Sequence, residues 1–203
     1  MMTLLSSTGS AVNGGTAWGG GQLALPVAVA VDANHNAWVA NQSAHTITKI
    51  SPDGSKATQV SCCYGASGLA VDQGGNVWVA NYFGSSISEV SSAGAVLLDE
   101  QTGGGVDHPQ AVAIDGAGQV WVGNFHMSTI SEFAGASSAT QGTPLSPAAG
   151  LGADAQLGSP FALAVDASGN LWVSDSDGAN TVTVFVGLAT PVKTPLLGPP
   201  QMP

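Results

Sequence analysis

The stretch Gly68-Leu-Ala-Val-Asp72-Gln-Gly-Gly-Asn76-Val-Trp78-Val-Ala-Asn81 decides how this chain is read. Its first residues alternate small with branched side chains, as a strand packed tightly between neighbours does. Asp72 to Asn76 then supplies an acid, glycines and an asparagine for a tight hairpin turn. Val77 to Ala80 reads as a second strand. The same text is written three more times, at Pro26–Asn41, Pro109–Asn124 and Pro160–Asp175. The matching acids are Asp32, Asp72, Asp115 and Asp166, spaced 40, 43 and 51 residues apart. Four of the five tryptophans, Trp38, Trp78, Trp121 and Trp172, fall at one repeat position.

Working outward, each copy continues into a third strand carrying Ile47, Ile87, Ile130 or Val182, and a weaker fourth follows a glycine turn, clearest at Ala95–Leu98. Four short strands in about 40–45 residues is the size of one propeller blade. The chain is therefore expected to be an all-β protein, a β-propeller of four-stranded antiparallel blades with about four repeats and a partial N-terminal blade. The units are 26–67, 68–108, 109–159 and 160–189. Residues 1–25 form the end of a partial blade, because Leu5–Val12 aligns with Val90–Leu97, and 190–203 form a proline-rich tail. A chain that begins inside a blade is expected to close its ring with residues 3–13 or to self-associate and complete the propeller, since an open sheet face exposes apolar surface and strand edges.

The repeated pattern, Pro-x-x-Ala/Leu-Val/Ala-Val/Ile-Asp-x-x-Gly-Asn-Val/Leu-Trp-Val-Ala-Asn, resembles the NHL repeat and equally the blade of virginiamycin B lyase-type propellers, over residues 26–186. As a blade pattern it is specific. It carries little about function, because propellers of this kind serve unrelated roles.

Composition excludes more than it assigns. Lysine and arginine total three against thirteen acids, for a net charge of −10. Nucleic-acid binding displaces counterions with cationic side chains, which this chain lacks. No run approaches the length of a membrane span. Met1–Ser7 lacks the basic and apolar regions of a secretory signal, while scarce lysine and abundant Gly, Ser, Thr and Ala point to a bacterial envelope or extracellular parent protein. The adjacent Cys62 and Cys63 read as two thiols near a strand end. Glu89 and Glu132, on the third strands where the first repeat has Lys49, are expected to face solvent.

Two sets of residues carry candidate chemistry. Asn41, Asn81, Asn124 and Asp175 end the second strand of each unit, so a closed ring would place them around one axial face. There they either close turns or, with oxygens suited to a hard cation, hold calcium or magnesium. The repeated aspartates are read as binding turn amides. The second set comes with the resemblance. In the lyase-like pattern a Glu-x-His supplies metal ligand and base, and here Asn124-x-His126 stands in its place, with His108 at the entrance to the same blade. The resemblance thus implies His126 and His108 as candidate catalytic residues, with Asn124 lacking the anionic ligand. His35 reads as solvated in its turn. Two functions follow: a module binding a small molecule, glycan or protein at the axial face, or a metal-assisted hydrolase or lyase acting on a lactone, ester or phosphotriester.

Overall fold

The computed structural model describes residues 23–155, 157–177 and 180–192; the expected strand at residues 3–13 and the tail beyond 192 lie outside them. Fourteen strands and no helix occur among the described residues. They form four antiparallel sheets in chain order. The first is β1 (Pro26–Val31), β2 (Ala37–Asn41), β3 (Thr46–Ile50) and β4 (Ala57–Ser61). The second is β5 (Ala66–Val71), β6 (Val77–Asn81), β7 (Ser86–Val90) and β8 (Val96–Gln101). The third has β9 (Pro109–Ile114), β10 (Val120–Asn124) and β11 (Thr129–Phe133), and the fourth β12 (Pro160–Val165), β13 (Leu171–Asp175) and β14 (Val182–Phe185). These are blades of a β-propeller, stacked side by side without closing a ring. The first strands lie against one another, close enough that a Cβ on Gly68 would come within 2.8 Å of the Gln110 carbonyl.

The repeated aspartate builds each hairpin. Oδ1 of Asp32 accepts the Asn34 and Asn36 amides, and Asp115 and Asp166 do the same in their turns, as expected. The other oxygen accepts the indole N–H of the tryptophan six residues on, at 3.0–3.3 Å in all four blades. That bond holds each indole flat on the blade face that meets the next blade. Trp38 packs against Val77, Val79 and Val90, Trp78 against Val120, Val122 and Phe133, and Trp121 against Leu171 and Val173. Burying an indole is strongly favourable only when its N–H keeps a partner.

The antiparallel all-β blades are as expected; among the described residues the first two have four strands and the other two three. In blade 3 the long repeat spacing is used by a coiled segment that bridges to the sheet at Phe133–Pro144 and Ile130–Leu151. In blade 4 the chain leaves β14 and folds back over the turns, with the Thr190 amide bonding Asp115 Oδ2 and the Ala189 amide bonding the Gly169 carbonyl. Cys62 and Cys63 form a disulfide rather than two thiols; the backbone turns sharply there, Cys63 at φ 74 and Gly65 at φ 80. Glu89 is fully buried rather than solvated. The blade 3 segment covers it, the Gln141 side-chain amide and the Asn76 amide both bonding its carboxylate. Finally, Trp172 shares the strand position of the other three but not their environment. It is 43% exposed, against 0–1% for Trp38, Trp78 and Trp121.

That exposure defines two open faces. Trp172 and Val182 lie uncovered on blade 4, and Val29 and Val31, equivalents of the buried-side Leu69 and Val71, are 66% and 61% exposed on blade 1. They are the two halves of the interface already built three times within the chain. We propose that a second copy covers them head to tail. Light scattering should show a dimer that Trp172→Asp dissociates; a monomer at all concentrations overturns this. Within one copy, Trp121→Ala should cost about 3–5 kcal/mol of stability in chemical denaturation, and Trp172→Ala, measured on the dissociated protein, clearly less.

Candidate functional site

The strand-ending asparagines act on the turns that follow them. Asn41 Nδ2 donates to the Thr46 and Thr48 hydroxyls, Asn81 to Ser86 and Ser88, and Asn124 to Thr129 and Ser131, at 2.8–3.3 Å. Asp175 reverses the polarity, accepting from Thr181 and Thr183. All four are buried. Each thus staples the second strand to the third beneath a short turn. For the expected calcium or magnesium ion, three of the five side-chain oxygens are already engaged, Asn41 Oδ1 by the Ala24 amide, Asn124 Oδ1 by the Asp107 amide and Asp175 Oδ2 by the two threonines. Asn81 Oδ1 and Asp175 Oδ1 are buried without a protein partner. A cage of all four would have to displace both amides.

The turns held up by these staples carry the chemistry. In blade 3, β9 and β10 pair with Pro109 opposite Asn124. Continuing that antiparallel register past the strand ends sets His108 beside Phe125 and Asp107 beside His126, and the Phe125 amide bonds the His108 carbonyl. Asp107 then grips both imidazoles, Oδ1 to His108 Nδ1 and Oδ2 to His126 Nδ1, each at 2.8 Å. His108 and His126 are thus brought together, their rings 5.1 Å apart. A ligand atom from each of the three residues lies within 4.8 Å of the others. Burial pushes the Asp107 carboxyl up, but bonds from His126, His108 and Ser85 outweigh it and leave the carboxyl below its ordinary range. With Nδ1 of each ring turned to the carboxylate, Nε2 is the nitrogen left free of it.

The equivalent positions in blade 2 are aromatic. Ala66 pairs with Asn81, so Tyr64 falls beside Phe83, and the Phe83 ring lies so close to Gly65 that no Cβ would fit there. His45, on the blade 1 turn, accepts the Gly65 amide through Nδ1 at 3.0 Å and stacks on Tyr64 at 4.6 Å. From there the contacts run through Phe83, Tyr82, His108 and Phe125 to His126. Seven rings cross three blades along one rim, with Tyr64 and Phe83 about half exposed. His45, Ser85, His108 and Ser128 all hold left-handed backbone here, φ 45–56, a conformation that costs energy for a side-chain-bearing residue and concentrates at functional sites. Asp107, Tyr64, Tyr82, Phe83 and Phe125 escaped the sequence reading. Their signal was proximity, since each lies within two residues of a strand-ending asparagine or of the first strand of a blade.

The fold and this rim define an open β-propeller presenting a histidine–carboxylate pair beside an aromatic face. More narrowly, the fold is that of virginiamycin B lyase-like propellers. A structure titled streptogramin B lyase superposes with a TM-score of 0.63 at 15% identity, covering 94% of this chain and 61% of that one. A catalytically inactive histidine-to-alanine virginiamycin B lyase from Staphylococcus aureus, with quinupristin, gives 0.61 at 15% identity, covering 84% and 56%. A putative gluconolactonase gives 0.58 at 12% identity, covering 80% and 60%. The chain spans little more than half the length of these structures. No family model matches it, and no curated protein does.

Away from the rim, Glu89 has a titration of its own. Burial raises its carboxyl; the Gln141 bond opposes this, the Asp72 charge adds to it, and the Asn76 bond opposes it, for a net rise. The native state then binds this proton more tightly than the unfolded chain, so stability falls as pH rises from the ordinary value of 4.5 through the raised native one. Denaturant unfolding between pH 4.5 and 7 should show this decline, and Glu89→Gln should shrink it, the remainder belonging to Glu132, which burial also raises. An unchanged slope in the variant would contradict the assignment.

Proposed function

We propose that the chain is a ligand-binding propeller module that takes a ring-bearing small molecule across the rim formed by Tyr64, Phe83, Tyr82 and Phe125. The observation that carries this is the seven-ring chain itself. Aromatic residues make up 6% of the sequence, yet both tyrosines, two phenylalanines and three of the four histidines line one edge. Half-exposed rings held on stapled turns offer apolar faces to a sugar or an aromatic group at small entropic cost. A scaffold role alone would leave such a surface without purpose.

A second reading, a divalent-metal-dependent hydrolase or lyase, is favoured by Asp107. Two imidazoles and a carboxylate suit a first-row transition metal better than calcium or magnesium. Asp107, His108 and His126 would hold the ion, which when bound would polarise a carbonyl or phosphoryl oxygen or activate water. Without an ion, Asp107 orients His126, and the exposed imidazole would serve as the base toward a lactone or ester. His108, half-buried behind it, positions the carboxylate.

Titration with quinupristin, the ligand of one similar structure, and with a panel of methyl glycosides should show saturable tyrosine or tryptophan fluorescence changes. Phe83→Ala and Tyr64→Ala should each weaken binding roughly two- to tenfold with unchanged thermal stability. No binding by either class, or binding indifferent to both variants, defeats the module reading. For the second reading, zinc or manganese uptake and lactone, ester or quinupristin turnover should fall together in Asp107→Asn and in His126→Ala, and on acidification, since these ligands bind metal deprotonated. Turnover that survives both variants removes it.

A further inference from the structure

We infer that the cleft between blades 1 and 2, far from the rim chemistry, is a binding site for a small oxyanion, a molecule bearing a carboxylate or phosphate. The cleft encloses a cavity of about 290 Å³ lined by Asn36, Lys49, Ser51, Lys56 and Thr58 and closed by the blade 2 turn at Ala93. It gathers two of the three cations of a chain whose net charge is −10.

Lys49 stands on β3 opposite Trp38. Its ammonium lies 5.1 Å from the centre of the Trp38 ring and donates one hydrogen bond, 2.7 Å long, to the Ser92 carbonyl. An ammonium has three donors. Among the described residues the only ion pairs are those of Asp107 with His108 and His126, so neither lysine meets a carboxylate. The acid of the same β3–β4 turn, Asp53, is occupied within that turn by the Ser51 hydroxyl and by the Ser55 amide and hydroxyl, which hold it down at about 2. A half-buried cation beside a cavity, with no carboxylate in ion-pair reach among the described residues, lacks a counter-charge.

The repeat supplies an internal control. The residue equivalent to Lys49 is Glu89 in blade 2, opposite Trp78, and its cleft is closed by the protein itself, with Asn76 and Gln141 both donating to the carboxylate. At Glu89 the next blade sends Gln141 as a partner. At Lys49 the next blade offers one carbonyl and leaves space. Thr58 adds a hydroxyl at the cavity wall, while Asn36 and Ser51 line it with side chains bonded to Asp32 and Asp53.

The test is an NMR titration of the full chain at constant ionic strength, with sodium phosphate in one arm, sodium citrate in another and sodium chloride as control. Phosphate or citrate should give saturable shifts of the Trp38 indole N–H and of the Ser92–Gly94 amides, and chloride none. Whichever arm saturates at lower concentration assigns the phosphate or carboxylate class. Lys49→Gln should weaken binding roughly tenfold or more. Lys56→Gln, on an exposed side chain that leaves folding intact, should weaken it severalfold and decides the matter if Lys49→Gln does not fold. Shifts equal in all three arms mean an adventitious ion only and overturn the inference, as does a Lys56→Gln affinity equal to that of the unaltered protein.

Discussion

One hydrogen bond underlies the rest of this structure: the indole N–H of each blade tryptophan to the carboxylate that also ties its hairpin turn. The two oxygens of one aspartate divide the work, one collecting turn amides and the other fixing the ring six residues on. The largest apolar group in the repeat is thereby held rigid before any neighbour arrives. Blade 4 shows that the order of dependence runs this way. Trp172 keeps its bond to Asp166 at 3.0 Å although no blade covers it. The bond therefore belongs to the single blade, and burial of the ring belongs to the stack. Each blade is a locally determined unit whose stability is completed by the next, the one-dimensional logic of repeat proteins.

That division explains which features were legible in the sequence. Asp32, Asp72, Asp115 and Asp166, with their tryptophans, recur because every blade needs them, and recurrence makes a position visible. The strand-ending asparagines recur for a similar reason. Their equivalence was plain, but their work of bonding hydroxyls five and seven residues on was hidden until Thr46, Thr48, Ser86, Ser88, Thr129 and Ser131 were seen to line up on the third strand. What the sequence concealed lies in the contacts between units of unequal length. Glu89 looked like a solvent-facing residue of a third strand because its own repeat offers it only Asn76; Gln141, 52 residues away in an extension of blade 3, completes its cover. The three-stranded sheets that the described residues of blades 3 and 4 form have the same origin. The chain there spends its residues on reaching a neighbour rather than on widening its own sheet.

The candidate site sits where the repeat ceases to constrain. Past Pro109 and Asn124 the ladder has ended, yet its register still decides who faces whom, and it sets Asp107 against His126 as it sets Tyr64 against Phe83 in the blade before. The resemblance of Asn124-x-His126 to a lyase-type Glu-x-His drew attention to His126 and His108, while Asp107 belongs to no such pattern and was passed over. The register of one hairpin, extended by two residues, would have supplied it. The same geometry gives neighbouring blades unlike chemistry, an aromatic pair in one and an acid–imidazole pair in the next. A ligand lying across both would meet apolar ring faces and a charged group at once.

The position across from each tryptophan follows the same rule from the opposite side. It is Lys49, Glu89, Glu132 and Val184 in successive blades, so blade formation does not specify it, and each residue there has to be accounted for by what surrounds it. Val184 costs nothing in a blade whose outer face is open. Glu132 is half-buried and shifted upward by burial, and Glu89 is fully buried and paid for by two amides. Lys49 is the one cation of the set, with one carbonyl and one aromatic face beside a half-buried charge. In a protein assembled from copies of one unit, a departure from the repeat that the protein does not itself compensate marks the place where something outside the chain is expected.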